Sequence, residues 1–209
     1  SAVWQMKTEN VRVDGLTGSG FRAFLGSGDA DGPTFLNFDN VWSFNHGKYG
    51  IRVDTAGGHV ENSFMRVINS FIQNNTLGGI DYKGLIATFE NNGFTQNLGF
   101  GGLRLRADSG NNHAIRVIGN DFEHNAPFGI DIESEANAIV ENNECLQTNA
   151  RVIPFEGCFK VGGAGGTSTV QNALFRNNKV RVSAGFTPHT AYDIHVEALD
   201  TQIENTLWD

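Results

Sequence analysis

Short alternating segments dominate the chain, and no stretch carries the spacing of an amphipathic helix. Ile51-Arg52-Val53, Ile80-Asp81-Tyr82, Leu103-Arg104-Leu105 and Ile130-Asp131-Ile132 alternate apolar and charged positions. That is the period of a strand with one buried face. A glycine precedes each of them: Gly50, Gly79, Gly102 and Gly129. Upstream, Phe64-Met65-Arg66-Val67-Ile68 and Ile115-Arg116-Val117-Ile118 read as a second strand, while Ser70-Phe71-Ile72-Gln73 and Asp121-Phe122-Glu123-His124 read as a short third. The pattern predicts units of three short strands joined by tight bends.

These units recur. Asn40, Asn69, Asn92 and Asn120 each lead to one of the glycines. Two places after each Asn comes an aromatic (Trp42, Phe71, Phe94, Phe122), and five places after it a second Asn (Asn45, Asn74, Asn97, Asn125). Self-similarity of this length marks a stacked-repeat architecture. Strands too short for a hairpin sheet can still coil, each turn lying about 4.8 Å above the one before. The fold class expected is therefore all-β: a parallel β-helix, or solenoid, with three short strands per turn. Asparagines in register would form amide ladders, and Asn and Gly would supply the left-handed backbone that sharp corners need. The four aromatics are expected to form one interior stack.

Later turns are looser, with Cys145, Val180 and Leu207 following Asn143, Asn178 and Asn205 in the aromatic position. Polar or Gly-rich inserts are expected at Ala107 to His113, Gly162 to Thr169 and Phe186 to Tyr192. Ahead of Asn40, Val11-Arg12-Val13 and Phe35-Leu36-Asn37-Phe38 look like strands separated by the Gly-rich stretch 26–33. Continuous periodicity makes residues 1–209 one β-helix domain, regular from about residue 37, and a new turn opening at Asn205 suggests a piece of a longer chain.

Charge and composition narrow the partners. A net charge of −8 argues against a duplex nucleic-acid binder, which would show a basic face. No run approaches the ~18 apolar residues of a membrane-spanning helix. Two cysteines are too few for a disulfide framework; Cys145 reads as a small buried apolar residue, and its pairing with Cys158 is left open. Asp29 and Asp31 look like the opening of a calcium loop, but the remaining ligand spacing is wrong. A turn is favoured there, and no cofactor is expected.

The frame Asn120-Asp121-Phe122-Glu123-His124-Asn125 with Gly129-Ile130-Asp131-Ile132 resembles right-handed parallel β-helix proteins of the pectin-lyase-like superfamily, over about Asn37 to Asp209. That superfamily includes pectate lyases, polygalacturonases, alginate epimerases, bacteriophage tailspike depolymerases and adhesins. Irregular turn lengths and abundant Asn look most like a tailspike or a related surface-polysaccharide enzyme. The resemblance implies a polysaccharide partner, an extracellular, cell-surface or virion location, and a homotrimer as one form of assembly. The paired Asp-Asp of polygalacturonases is absent, and Thr187-Pro188-His189 lacks the Asp of the epimerase motif.

Outward positions after each glycine form a column of Arg52, Asp81, Arg104, Asp131, Lys160 and His195, beside a second column of Asp54, Arg106, Glu133 and Glu197. The resemblance implies that a sugar chain lies along this sheet. Asp81 and Asp131, two turns apart, would hold their carboxyls roughly 9–10 Å apart, near the ~6.5–9.5 Å of an inverting glycosidase. Asp81, Asp131 and Glu133 are thus the catalytic candidates, with Arg52, Arg104, Arg106, Lys160, Tyr192 and His195 binding substrate. A lyase would instead pair a cation at a uronate carboxylate with a base, from Arg104, Lys160, His195 and Tyr192. The competing reading is a ladder of exposed ion pairs: alternating sign on adjacent turns needs no catalytic cause. A non-catalytic shaft or adhesin would show the same column.

Overall fold

The computed structural model describes residues 4–25, 34–55, 63–84, 86–106, 114–133, 137–147, 157–161, 173–182, 194–196, 202–204 and 207–208. Turn one holds β1 (Trp4–Asp14) and β2 (Phe21–Leu25), and turn two β3 (Thr34–Phe44) and β4 (Tyr49–Thr55). From turn three the long strand divides: β5 (Ser63–Ile68), β6 (Phe71–Gln73) and β7 (Gly78–Lys83). Turn four is β8 (Ile86–Glu90), β9 (Gly93–Thr95) and β10 (Leu103–Arg106). Turn five is β11 (Ala114–Ile118), β12 (Asp121–Glu123) and β13 (Phe128–Ile132). Turn six is β14 (Ala138–Glu141), β15 (Glu144–Gln147) and β16 (Gly157–Val161). Turn seven is β17 (Leu174–Arg176), β18 (Lys179–Val182) and β19 (Ile194–Val196), and β20 (Gln202–Glu204) and β21 (Leu207–Trp208) follow.

Every pairing is parallel and joins a strand to its counterpart one turn away. Three faces result. The first runs from the leading half of β3 through β5, β8, β11, β14 and β17 to β20; the second runs from the trailing half of β3 through β6, β9, β12, β15 and β18 to β21. The third face is a seven-stranded sheet from β2 to β19. The predicted all-β solenoid is what forms, with two strands per turn at the start because β1 and β3 each run across a corner.

Two corners hold the coil together. Between the first and second faces, left-handed residues (Asn40, Asn69, Asn91, Asn142, Asn177, all near φ +50°) turn the backbone sharply. The residue after each points inward, and the series Ser70, Asn92, Asn120, Asn143, Asn178 is buried. Asn92 Nδ2 donates to Asn120 Oδ1 at 3.0 Å, Asn120 to Asn143 at 2.9 Å and Asn143 to Asn178 at 3.0 Å. The same oxygens accept the backbone N–H of the preceding turn. A second series, His46, Asn75, Asn97, Asn125, repeats this between the second and third faces. Backbone groups that a bend would strand inside are thereby paired, as burial requires.

The ladders correct the expected frame. Asn40, Asn69, Asn45 and Asn74 lie outside the buried ladders; they are the left-handed corner residues, each one position ahead of the inward residue. Their amides bond from turn to turn in an exposed outer row, Asn74 to Asn45 at 2.7 Å and Asn40 to Asn10 at 2.7 Å. In a strand a one-residue slip sends a side chain to the opposite face. Trp42 and Phe71 therefore point outward, in register with Gly93 and Asp121, and Trp42 is 47 % exposed. The interior column reads Ile72, Phe94, Phe122, Cys145, Val180, and within it Phe94 and Phe122 stack with centroids 4.8 Å apart and planes within 4°. One extra residue hid the slip. Nine positions separate Val41 from Gly50, Ser70 from Gly79 and Asn120 from Gly129, but ten separate Asn92 from Gly102. The surplus sits in Gly99-Phe100-Gly101, where both glycines have positive φ.

Glycines before the third face are required by the same core. A Cβ on Gly50 would meet Ile72 Cγ2 at 2.5 Å, and one on Gly102 would meet Phe122 at 3.0 Å. Turn six solves the space differently: Cys158 occupies the glycine column, Cys145 the ring column, and the two form a disulfide. Cys145 is a half-cystine and not simply a small apolar filler. Closing a loop of this length stabilises by about 3 kcal/mol in the chain-entropy model. The inserts expected at 107–113, 162–169 and 186–192, and the stretch with Asp29 and Asp31, lie outside the described residues.

Asn120→Ala removes two acceptor and two donor contacts inside the first ladder, so it is expected to cost about 3 kcal/mol or more. Asn69→Gly keeps a left-handed corner and should stay within about 0.5 kcal/mol of the parent. Urea midpoints of the two variants separate ladder from corner.

Candidate functional site

The third face carries the charges. Register places Arg22, Arg52, Asp81, Arg104, Asp131, Lys160 and His195 side by side in one column. Lys83 and Arg106 are register partners in the next column, with Glu133 following one turn on, its N–H donating to Leu105 O. Inward, Ile51, Ile80, Leu103, Ile130 and Phe159 fill the core in line with the predicted alternation. Tyr192 lies outside the described residues, and for His195 the described feature is its place in β19.

Ion pairs close over Asp81, Asp131 and Glu133, and the strongest run diagonally. Arg106 grips Asp81 with Nε on Oδ1 at 2.8 Å and Nη2 on Oδ2 at 2.7 Å. Arg104 passes its register neighbour Asp131 and clamps Glu133, Nε to Oε1 at 2.9 Å and Nη2 to Oε2 at 2.8 Å. Arg52 Nε stands 3.7 Å from Asp81 Oδ2, and Lys160 Nζ 3.2 Å from Asp131 Oδ1. The competing ladder reading pairs adjacent turns within one column, as Arg52 with Asp81 and Lys160 with Asp131 do, but the bidentate pairs leave that column. Forked guanidiniums reach across to the second column because bidentate carboxylate geometry is available there. The acids are also far from exposed: Asp81 is 1 % and Asp131 3 % accessible.

Burial dominates the electrostatics of both aspartates. It raises Asp81 above the ordinary carboxylate value despite the opposing pull of Arg106, Arg104 and Arg52. Asp131 is pushed up to about 6, first by burial and then by Glu133, with Lys160 and Arg104 pulling the other way. Asp131 Oδ1, though near Lys160 Nζ, accepts no well-directed hydrogen bond. An oxygen held within ion-pair range but lacking a hydrogen bond can take one more donor.

Aromatic rings fix the cations from below. Arg104 lies 3.7 Å above the Phe100 ring, Arg52 5.2 Å from Tyr49 and Lys160 5.4 Å from Phe128. Phe100 in turn lies parallel to Tyr49, centroids 6.4 Å apart and planes within 7°. Gly78, in register with Tyr49, leaves room for this contact across turn three: a Cβ there would sit 3.3 Å from the Tyr49 ring. The strand alternation gives no sign of Phe100, Tyr49 or Phe128 as supports for the cations. The available signal was an aromatic within two residues ahead of a column glycine in turns two, four and five.

Among the described residues no group of His, Cys, Asp and Glu is arranged to hold a metal ion, and no helix long and apolar enough to cross a membrane occurs. The described cysteines form a disulfide, which fits an oxidising compartment. Residues 5–200 match the family model described as the right handed beta helix region, and the chain belongs to that family. No curated protein and no solved structure matches it.

Arg106→Ala leaves Asp81 buried beside a more distant Arg52, so it is expected to cost about 3 kcal/mol. The double variant Asp81→Asn with Arg106→Ala should recover most of that loss, measured as unfolding midpoints in urea.

Proposed function

We propose that the third face binds an anionic extracellular polysaccharide laid along the axis of the coil. The observation that carries this reading is a charge imbalance. By register, the described strands of the face carry six cations (Arg22, Arg52, Lys83, Arg104, Arg106, Lys160) against four carboxylates (Asp54, Asp81, Asp131, Glu133), on a chain whose net charge is −8. A locally positive strip on an acidic molecule concentrates anionic ligands and repels them elsewhere. Turn spacing near 4.8 Å is comparable to the length of a sugar ring, so carboxylate or sulfate groups along a glycan can meet successive cations. Rings beneath Arg52, Arg104 and Lys160 hold those cations without further ordering, the condition for cheap recognition.

Depolymerisation is the second part of the proposal, and Asp131 carries it. Asp81 and Glu133 are held in bidentate clamps and serve in this reading to orient Arg106 and Arg104 toward substrate. Asp131, titrating near 6 with an oxygen free of directed hydrogen bonds, is suited to proton transfer at mildly acidic pH. His195, next to Lys160 in register, and Tyr192 complete the proposed substrate track. An extracellular, cell-surface or virion setting follows from such a ligand.

Polygalacturonate in an affinity gel is the probe. Retardation of the intact chain is expected, weakening as salt rises, and Arg52→Gln with Lys160→Gln should lower affinity roughly tenfold. Retardation that ignores both salt and the double variant would remove the binding reading. Asp131→Asn should keep binding and abolish release of reducing ends or unsaturated products. If wild type binds and releases neither, the face is a recognition surface and Asp131 has no chemical role.

A further inference from the structure

The second polar ladder starts with a different residue. In successive turns Asn125, Asn97 and Asn75 offer Oδ1 to the backbone N–H one turn earlier. Asn97 N–H meets Asn125 at 3.1 Å, Asn75 N–H meets Asn97 at 3.3 Å and His46 N–H meets Asn75 at 3.1 Å. The next member is His46, and here the acceptor is an imidazole nitrogen: Leu16 N–H donates to His46 Nδ1 at 3.2 Å. Asp14 pairs with Phe44, so Leu16 is the turn-one equivalent of His46. The ring thus does for turn one what an amide oxygen does for the turns above.

The rest of the contact set fixes its protonation. With Nδ1 accepting, Nε2 carries the hydrogen and donates to Ser43 Oγ at 3.0 Å, while the Ser43 hydroxyl donates to Gly50 O at 2.9 Å. Ser43 is fully buried and His46 is 1 % exposed. Turn one presses on the ring directly: a Cβ on Gly20 would lie 2.5 Å from His46 Nε2. A second proton would put Nδ1–H against the Leu16 N–H, donor facing donor, and bury a charge beside it. An amide oxygen cannot gain a proton near neutrality, whereas imidazole can.

We propose that His46 is a proton-operated latch that docks turn one, residues 4–25, onto the coil in its neutral form and releases it when protonated. Among the described residues, three side chains stand beside His46. From turn one comes the carboxylate of Asp14, itself bonded to Asn45 Nδ2 at 2.8 Å and 3.7 Å from Arg12; from turn three comes the uncharged amide of Asn75; from its own turn, Ser43. Asp14 favours protonation, but burial outweighs it and holds the ring below its ordinary value of 6.5. A folded-state pKa below the unfolded one means that opening takes up a proton. Docking is therefore strongest above about pH 6.5 and weakens as pH falls below it. Further contacts across the same seam, Gly47 N–H to Leu16 O at 2.8 Å and Gly20 N–H to Tyr49 O at 2.9 Å, would open together with it. Release bares the edges of β3 and β4 and takes Arg22 off the charged face.

Hydrogen exchange of the intact chain at pH 7.5 and pH 5.0, corrected for intrinsic rates, tests this. Protection across residues 4–20 should fall roughly tenfold or more in acid, while residues 86–133 keep theirs. His46→Asn installs the side chain that three higher turns use at this position, and should leave protection of 4–20 equal at both pH values. The His46 ring titration, followed by nitrogen NMR on wild type, should share its midpoint with the loss of protection. Equal protection of wild type at both pH values overturns the latch. So does acid release that persists in His46→Asn, or a ring midpoint that departs from the opening midpoint.

Discussion

A bend inside a parallel coil turns backbone N–H groups toward a dry interior, and those groups must find acceptors there. Every other feature of this molecule is subordinate to that requirement. Side-chain oxygens of Asn92, Asn120, Asn143 and Asn178 on one edge, and of Asn75, Asn97 and Asn125 on another, meet it by accepting from the turn before. Because each amide also donates onward, a turn is never satisfied alone, and its axial position is set by its neighbour. Register follows from the ladders, and from register follow the ring stack of Phe94 and Phe122 and the glycine column beside it.

The charged face inherits the same exactness of register but uses it at higher cost. Removing a carboxylate such as Asp81 from water is unfavourable, and the attraction of a well-placed partner offsets that loss without much surplus. Well-packed hydrophobic residues are often as stabilising as such pairs or more so, and in the proposed reading the buried acids serve to hold the cations still. Arg104 is held from three sides at once, by Glu133, by the Phe100 ring and by its own strand. A cation confined in this way meets a ligand with little entropy left to lose.

Much of this is legible in the chain itself. Period-two alternation located the third face and its charged column residue by residue, because a half-buried strand leaves that pattern undisguised. Asparagine was harder, since it has two uses here: Asn69 and Asn91 take the left-handed corner, while Asn92 and Asn120 take the ladder. Spacing alone could not tell them apart once Gly99-Phe100-Gly101 added a residue to one turn. Ion-pair partners were beyond the pattern for another reason. Which carboxylate Arg104 selects depends on side-chain reach, and reach is not written in periodicity. The disulfide was half visible: Cys145 in the ring column and Cys158 in the glycine column make sense only as a pair.

That bond joins residues of the same turn, 13 positions apart, so it braces the coil crosswise and leaves neighbouring turns free to separate. Tension applied at the two ends would peel turns away and lengthen the molecule step by step. Contour stored between residues 145 and 158 could not be paid out in this way, and the mechanical extension of the chain would stop short by that amount until the sulfurs were reduced.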